Sequence, residues 1–237
     1  LAWTPLEHAS LIAFILFILV IVCGRWLITE EEPSPEKAPL ISIPRGPVLV
    51  LGLLAFVAMI AEGAATDWSS IFARNELEAT PSQAAAVFTV FALTMTLGRF
   101  LGDRLVHHWG PDRVLRYACW VGAAGFMAGL LSENLDGVMF GFACLGLGLA
   151  NTVPILFSGA SRIPGVNPGV GIAGVATLGY FGFLIGPPLI GTIAEFFGLD
   201  HALLLIVLFC TLIALNAGRI SQGRDSKPEN PETVQGS

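Results

Sequence analysis

The sequence predicts an all-α integral membrane protein, a bundle of about seven transmembrane helices. Three observations predict it. Of the 237 residues, 54% are hydrophobic and only 13% charged, with a mean hydropathy of +0.74, which is more apolar than one water-soluble core requires. The apolar residues fall into runs close to the ~20 that carry a helix across a ~30 Å hydrocarbon layer, not into short alternating strands. Arginine and lysine gather on alternate connections between those runs.

The elements follow in order. The first run covers 9–27 and is followed by ITEEEPSPEKAPLISIPRG at 28–46, where prolines and a charge run predict a solvated linker. The second run covers 47–65. The third, 84–101, follows TPSQ at 80–83, and the fourth covers 114–131. SENLDG at 132–137 separates it from the fifth, 138–157; both short stretches supply helix caps and turn residues. The sixth, 169–193, holds Gly179, Gly182 and Gly186 with Pro187 and Pro188, a pattern expected to pack closely and to bend. The seventh covers 202–217, and the polar tail 221–237 lacks the apolar residues to fold.

Orientation follows from the positive side chains. One side collects Arg25, Lys37, Arg45, Arg99, Arg104, Arg113, Arg116, Arg162, Arg219, Arg224 and Lys227; the other has Arg74 alone, with Glu133, Asp136, Glu195 and Asp200 at its turns. The imbalance predicts a cytoplasmic linker and C-terminus. Other classes find no support. Cys23, Cys119, Cys144 and Cys210 lie within apolar runs without metal-ligand spacing, and no histidine has a ligand partner at such spacing. GxxxxGK[ST], HExxH and GxSxG are missing, and GLGLAN at 146–151 lacks the third glycine of a dinucleotide loop. No cofactor, no enzymatic chemistry and no nucleic-acid partner is therefore expected.

One stretch stands out. In GRFLGDRLVHHWG, residues 98–110, Gly98 and Gly102 share a helix face that lets another helix approach. Arg99 and Arg104 face the negative end of their own helix dipole, and Asp103 is expected to pair across the turn with Arg113 and Arg116. The alternative is a simple positive-inside anchor.

GRFLGDRLVHHWGPDRVLR resembles the cytoplasmic loop motif of the major facilitator superfamily, a glycine and Asp-Arg followed by further basic residues, as it stands in the later of two six-helix halves. Here LeuValHisHisTrp separates Asp103-Arg104 from Gly110, where the stricter motif has a DRxG spacing. LGYFGFLIGPPLIGTIAEFFG, 178–198, resembles the penultimate helix of sugar-permease-like members. The resemblance implies that 1–27 is the last helix of an N-terminal half, 28–46 the central cytoplasmic linker, 47–220 the six-helix C-terminal half and 221–237 a disordered cytoplasmic tail. It implies a gating role for Gly98, Arg99, Gly102, Asp103, Arg104 and Arg113. The chain then reads as the later part of a longer protein, with Leu1 internal to it, in the bacterial inner (plasma) membrane.

A transporter needs polar groups near mid-depth, because an unpaired polar group facing lipid is costly. Glu62, toward the outer side of the second run, is the leading proton carrier, or else a structural carboxylate bonded to a neighbouring helix. Asn151, followed by the helix-breaking Pro154, is a substrate contact or an interhelical bond. Thr94, Thr96 and Thr177 line a path or bond their own backbones, and Tyr180 stacks on a sugar ring or packs. Asp67 and Trp68 are placed at the outer interface, with Asp67 also a candidate for the substrate or proton pathway. The expected function is proton-coupled alternating-access transport of a small polar solute, a sugar or related metabolite, with the lipid bilayer and the N-terminal half as partners. The alternatives are a drug or metabolite exporter on the same scaffold, a membrane receptor or scaffold that moves nothing, and a membrane-embedded enzyme.

Overall fold

Caps and glycines set where the helices start and stop. The structure, a computed structural model, describes residues 5–24 and 45–220, as helices α1 (Pro5–Gly24), α2 (Pro47–Glu76), α3 (Pro81–Trp109), α4 (Pro111–Leu131), α5 (Leu135–Leu149), α6 (Thr152–Ala160), α7 (Pro168–Phe197) and α8 (Leu199–Asn216), with a final 3-10 turn at Ala217–Arg219. No strand occurs among the described residues. The linker expected over 28–46, apart from Arg45 and Gly46, and the tail 221–237 lie outside them.

Pro at the first helical positions of α2, α3, α4 and α7 pre-sets φ where no amide donor is needed. Thr80 and Gln83 form a reciprocal capping box at the start of α3, and the side chains of Asn134 and Asn167 accept from Gly137 and Gly169 at the starts of α5 and α7. Gly110 and Gly198 reverse the chain at φ +83° and +88°, which a side chain would resist.

Six spans are long and apolar enough to cross a membrane: α2, α3, α4, α5 with α6 as Leu135–Ala160, α7, and α8 with its 3-10 turn as Leu199–Arg219. The chain divides into two units, and α1, with the shorter apolar stretch Ser10–Gly24, belongs to the first, Leu1–Leu40. Each predicted run is helical over its described residues, but the ends shift, two of them by eight residues or more, and one run is broken. α2 runs past 65 to Glu76, and α3 past 101 to Trp109, because polar residues end an apolar run without ending a helix. The fifth run is broken into α5 and α6 by a turn at Ala150 and Asn151. α7 continues unbroken through Pro187 and Pro188.

Within the second unit, α2 packs along α7 and also against α3 and α8, while α4 packs on α5 and α8. Glycines make the closest approaches. Gly129 faces Gly141, and Gly122 faces Gly148, between α4 and α5; Gly179, Gly182 and Gly186 of α7 lie on the Ala55–Ile60 stretch of α2. Two buried apolar clusters result. One is built around Phe72, Phe91, Phe126, Phe142 and Leu203, the other around Leu51, Leu115, Leu156, Val175 and Ile213. On α2 they meet between Ala58 and Ala61, and on α5–α6 between Ala150 and Ile155.

Candidate functional site

Two isolated charges sit at the level where the clusters meet. Glu62 lies midway along the 30-residue α2, deeper than its expected place toward the outer side, because the helix continues to Glu76. Arg99 lies ten residues before the end of α3 at Trp109, or about 15 Å inside it at ~1.5 Å per residue. It belongs to the span and not to the loop. Arg99 Nη2 donates to Glu62 Oε1 at 3.1 Å, joining α3 to α2. The arginine side chain is 51% exposed and the glutamate 23%, so the cation is the more accessible partner.

A second arm of Arg99 reaches the broken helix. Pro154 has no N–H, so the Ala150 carbonyl, four residues earlier, has lost its helical donor. Arg99 Nε donates to that carbonyl at 3.4 Å. The break is held from the other side as well, because Asn151 Nδ2 donates to the Gly98 carbonyl at 2.9 Å. Gly98 and Gly102 make room for this. A Cβ at 98 would stand 2.6 Å from the Ala150 methyl, and one at 102 would overlap the Asn151 side-chain amide. The close approach expected of these glycines is therefore made by α5–α6 at its turn. One guanidinium ties three helices together through two hydrogen bonds to protein oxygen, and its Nη1 has no protein partner among the described residues.

The expected pairing of Asp103 with Arg113 and Arg116 is not formed: no ion pair of Asp103 occurs among the described residues. Asp103, Arg104 and Arg113 are exposed at the arginine-rich end of the bundle, where a charge gains little from a fixed partner. Asp103 instead lines a cavity of about 870 Å³ that opens at this end between the start of α2, the end of α3 and α6. Gly102 and Asn151 line it too, so it reaches one side of the Arg99 network, while Arg162 and Arg219 contribute positive charge and His107 an imidazole.

The remaining predicted residues stay apart from this network. Thr94 Oγ1 donates to the Val90 and Phe91 carbonyls, Thr96 to Ala92 and Thr177 to Ala173, each within its own helix. Tyr180 is 63% exposed on α7, and Asp67 is exposed five residues beyond Glu62. Of the two readings of Asn151 the structure forms the interhelical bond, and Glu62 is bonded to a neighbouring helix. Sequence reasoning missed the partnership of Glu62 with Arg99 and the carbonyl of Ala150. The usable signal was that both charges interrupt apolar runs, where an unpaired charge is costly.

The sequence model of the Major Facilitator Superfamily matches residues 2–166 and 50–236. An uncharacterized MFS-type transporter of Yersinia pestis is 33% identical over 224 residues, covering 94% of this chain and 58% of the relative. The membrane protein MosC of Rhizobium meliloti is 34% identical over 214 residues, covering 89% of this chain and 53% of MosC. An uncharacterized transporter, y4wD, of Sinorhizobium fredii is 31% identical over 180 residues, 76% of this chain and 48% of the relative. The chain thus spans about half the length of the curated relatives it matches.

Proposed function

The chain belongs to the major facilitator superfamily, and on that premise we propose that it forms the C-terminal half of a proton-coupled secondary transporter for a small polar solute, with Glu62 and Arg99 as its coupling centre. The observation that carries this reading is the ion pair itself. Orientation in a membrane requires arginines only at span ends, whereas this pair sits within the length of two spans, where ionisable groups are expensive and serve pathways or relays. Residues 47–220 supply one wall of the translocation path, the N-terminal half supplies the other, and the two rock about the site. The arginine-rich end faces the cytoplasm of the bacterial inner membrane.

The geometry suggests how a proton changes the shape of the path. While Glu62 is ionised it holds Arg99, and Arg99 holds the Ala150 carbonyl at the break between α5 and α6. A proton on Glu62 removes the charge that steadies the guanidinium. The break then loses its clamp and α6, which lines the cavity, is free to change its angle to α5. Glu62 thus acts as carrier and Arg99 as the link to the moving element.

Solutes that raise the unfolding temperature of the full-length protein identify the cargo to be followed in flux. In proteoliposomes, uptake or efflux of such a solute is expected to collapse when the proton gradient is dissipated and in Glu62→Gln. Undiminished flux in both cases would reject the coupling. Pro154→Ala tests the break separately. Alanine restores the donor to Ala150, so the variant is expected to be at least as stable as the parent, by about 1 kcal/mol for one hydrogen bond, while its transport cycle slows. Lower stability with unchanged flux would show that the break takes no part.

A further inference from the structure

A proton on Glu62 leaves its neighbour with a problem that only certain solutes solve. Glutamate can neutralise itself by protonation, but arginine stays charged in proteins. If Glu62 alone were protonated, Arg99 would be an uncompensated cation within the length of a membrane span, a costly state. No other acid on the elements packed around it is placed to help. On α2 the next carboxylate is Asp67, exposed more than a turn away; on α3 it is Asp103, exposed at the cavity. α4, which also packs on α3, carries Asp112 in its first turn, beyond the far end of α3 from Arg99; α5 carries Asp136 in its first turn, α6 carries no charged residue, α7 has Glu195 near its far end and α8 has Asp200 at its start. Arg99 also has a free edge. Nε and Nη2 are engaged, Nη1 has no protein partner among the described residues, and the side chain is half exposed.

Resting on the transport reading above, we propose that Arg99 binds the solute directly and that the solute is a small organic monoanion, a carboxylate such as a sugar acid, exchanged for the carboxylate of Glu62. The ionised pair is neutral. An added monoanion would leave a net charge of −1, and one proton delivered by hydronium or a buffer acid forms an O–H bond on Glu62 and restores neutrality, the donor leaving as water or buffer base and the solute's own bonds unchanged. Binding of the anion and uptake of the proton are then one event, in a ratio of one to one. The planar guanidinium fork suits a carboxylate, which narrows the polar solute to acids. A neutral sugar offers no charge to compensate Arg99, and a cationic one would need Glu62 ionised and compete with Arg99 for it.

Acetate, the minimal carboxylate, and acetamide, its neutral isostere, are the probes. Glu62→Gln in the full-length protein mimics the protonated carboxyl and leaves Arg99 unpaired. Acetate at ten times its dissociation constant is expected to raise the unfolding temperature of this variant by about 2 °C, with no rise from acetamide and none in Glu62→Gln with Arg99→Gln. Equal effects of the two probes, or none from acetate, overturn the proposal. A second measurement needs no variant. Titration of the unaltered protein with acetate in two buffers of different ionisation heat gives the protons bound per anion; one is expected, and zero, or no binding, overturns it. The outcomes separate from those for transport. Flux that depends on Glu62 without acetate binding leaves the coupling and removes the anion; acetate binding with gradient-independent flux does the reverse.

Discussion

Glu62→Gln is expected to destabilise the full-length protein more than Arg99→Gln, although glutamine for glutamate is the smaller change in shape. The reason is the asymmetry of the two charges. Without Glu62, Arg99 remains a cation that cannot be discharged near the centre of a span, at a cost of up to about 3 kcal/mol. Without Arg99, Glu62 takes up a proton and becomes neutral, and a glutamine at 99 still offers an amide donor toward Ala150. Half of the Arg99 side chain is exposed, so water around it offsets part of the first cost and narrows the gap between the two variants. Thermal unfolding in one detergent gives that order directly. An equal effect, or a larger one from Arg99→Gln, would mean that Arg99 is compensated by something other than Glu62.

The second large effect is steric. Gly182 of α7 lies on the backbone of α2, where a Cβ would overlap the Phe56 carbonyl oxygen and stand 3.0 Å from the Phe56 Cα. Backbone atoms do not rotate away, so Gly182→Ala must push α7 off α2 along the interface that these two helices share. Overpacking of this kind costs about 1–3 kcal/mol, and the backbone contact places this case at the upper end. Gly63 is the control. It lies on α2 beside Glu62, and a Cβ there would meet the Phe183 ring at 3.4 Å, an ordinary contact. Gly63→Ala is expected to be neutral or to stabilise by up to about 1 kcal/mol through helix propensity. A cooperative fall in unfolding temperature for 182 alone supports the interface; parallel behaviour of the two variants contradicts it.

The fold was largely legible in the sequence because hydropathy and caps act locally. Every apolar run is helical over its described residues, α2 begins at Pro47, and the stretches 80–83 and 132–137 supply the caps expected of them, although α3 and α5 begin three residues before their apolar runs. The helix ends beyond the apolar runs were less legible. Asp67, Ser69 and Ser70 lower the hydropathy of α2 after residue 65, but Ser70 Oγ donates to the Ala84 carbonyl of α3, and Ser69 is fully buried, so tertiary contacts extend the helix. Hydropathy reports solubility in lipid and helix formation reports backbone bonding, and the two part company at the membrane surface.

That displacement changes the surroundings of Arg99 and Asp103 from those the sequence predicts. Ending the third span at 101 put Arg99 at a span end with Asp103 and Arg104, and the resemblance of the motif drew all three into one gating group. The helix as built turns Arg99 inward toward Glu62, 37 positions earlier, and leaves Asp103 at the cavity wall. No local pattern encodes a partner so distant in the chain. Pro154 was legible as a helix breaker, since its missing N–H is a property of the residue, but the group that replaces it at Ala150 comes from another helix. The threonines were legible in the opposite sense: bonding to their own helix is the default for a hydroxyl in a span, and three of them follow it.

The most direct measurement of the central claim is a four-protein comparison in the full-length background: parent, Glu62→Gln, Arg99→Gln and the two together, each followed by thermal unfolding. An ion pair between α2 and α3 predicts that the double variant is more stable than Glu62→Gln alone, because removing Arg99 also removes the stranded charge. If the two single effects simply add, Glu62 and Arg99 do not interact and the coupling centre described here does not exist.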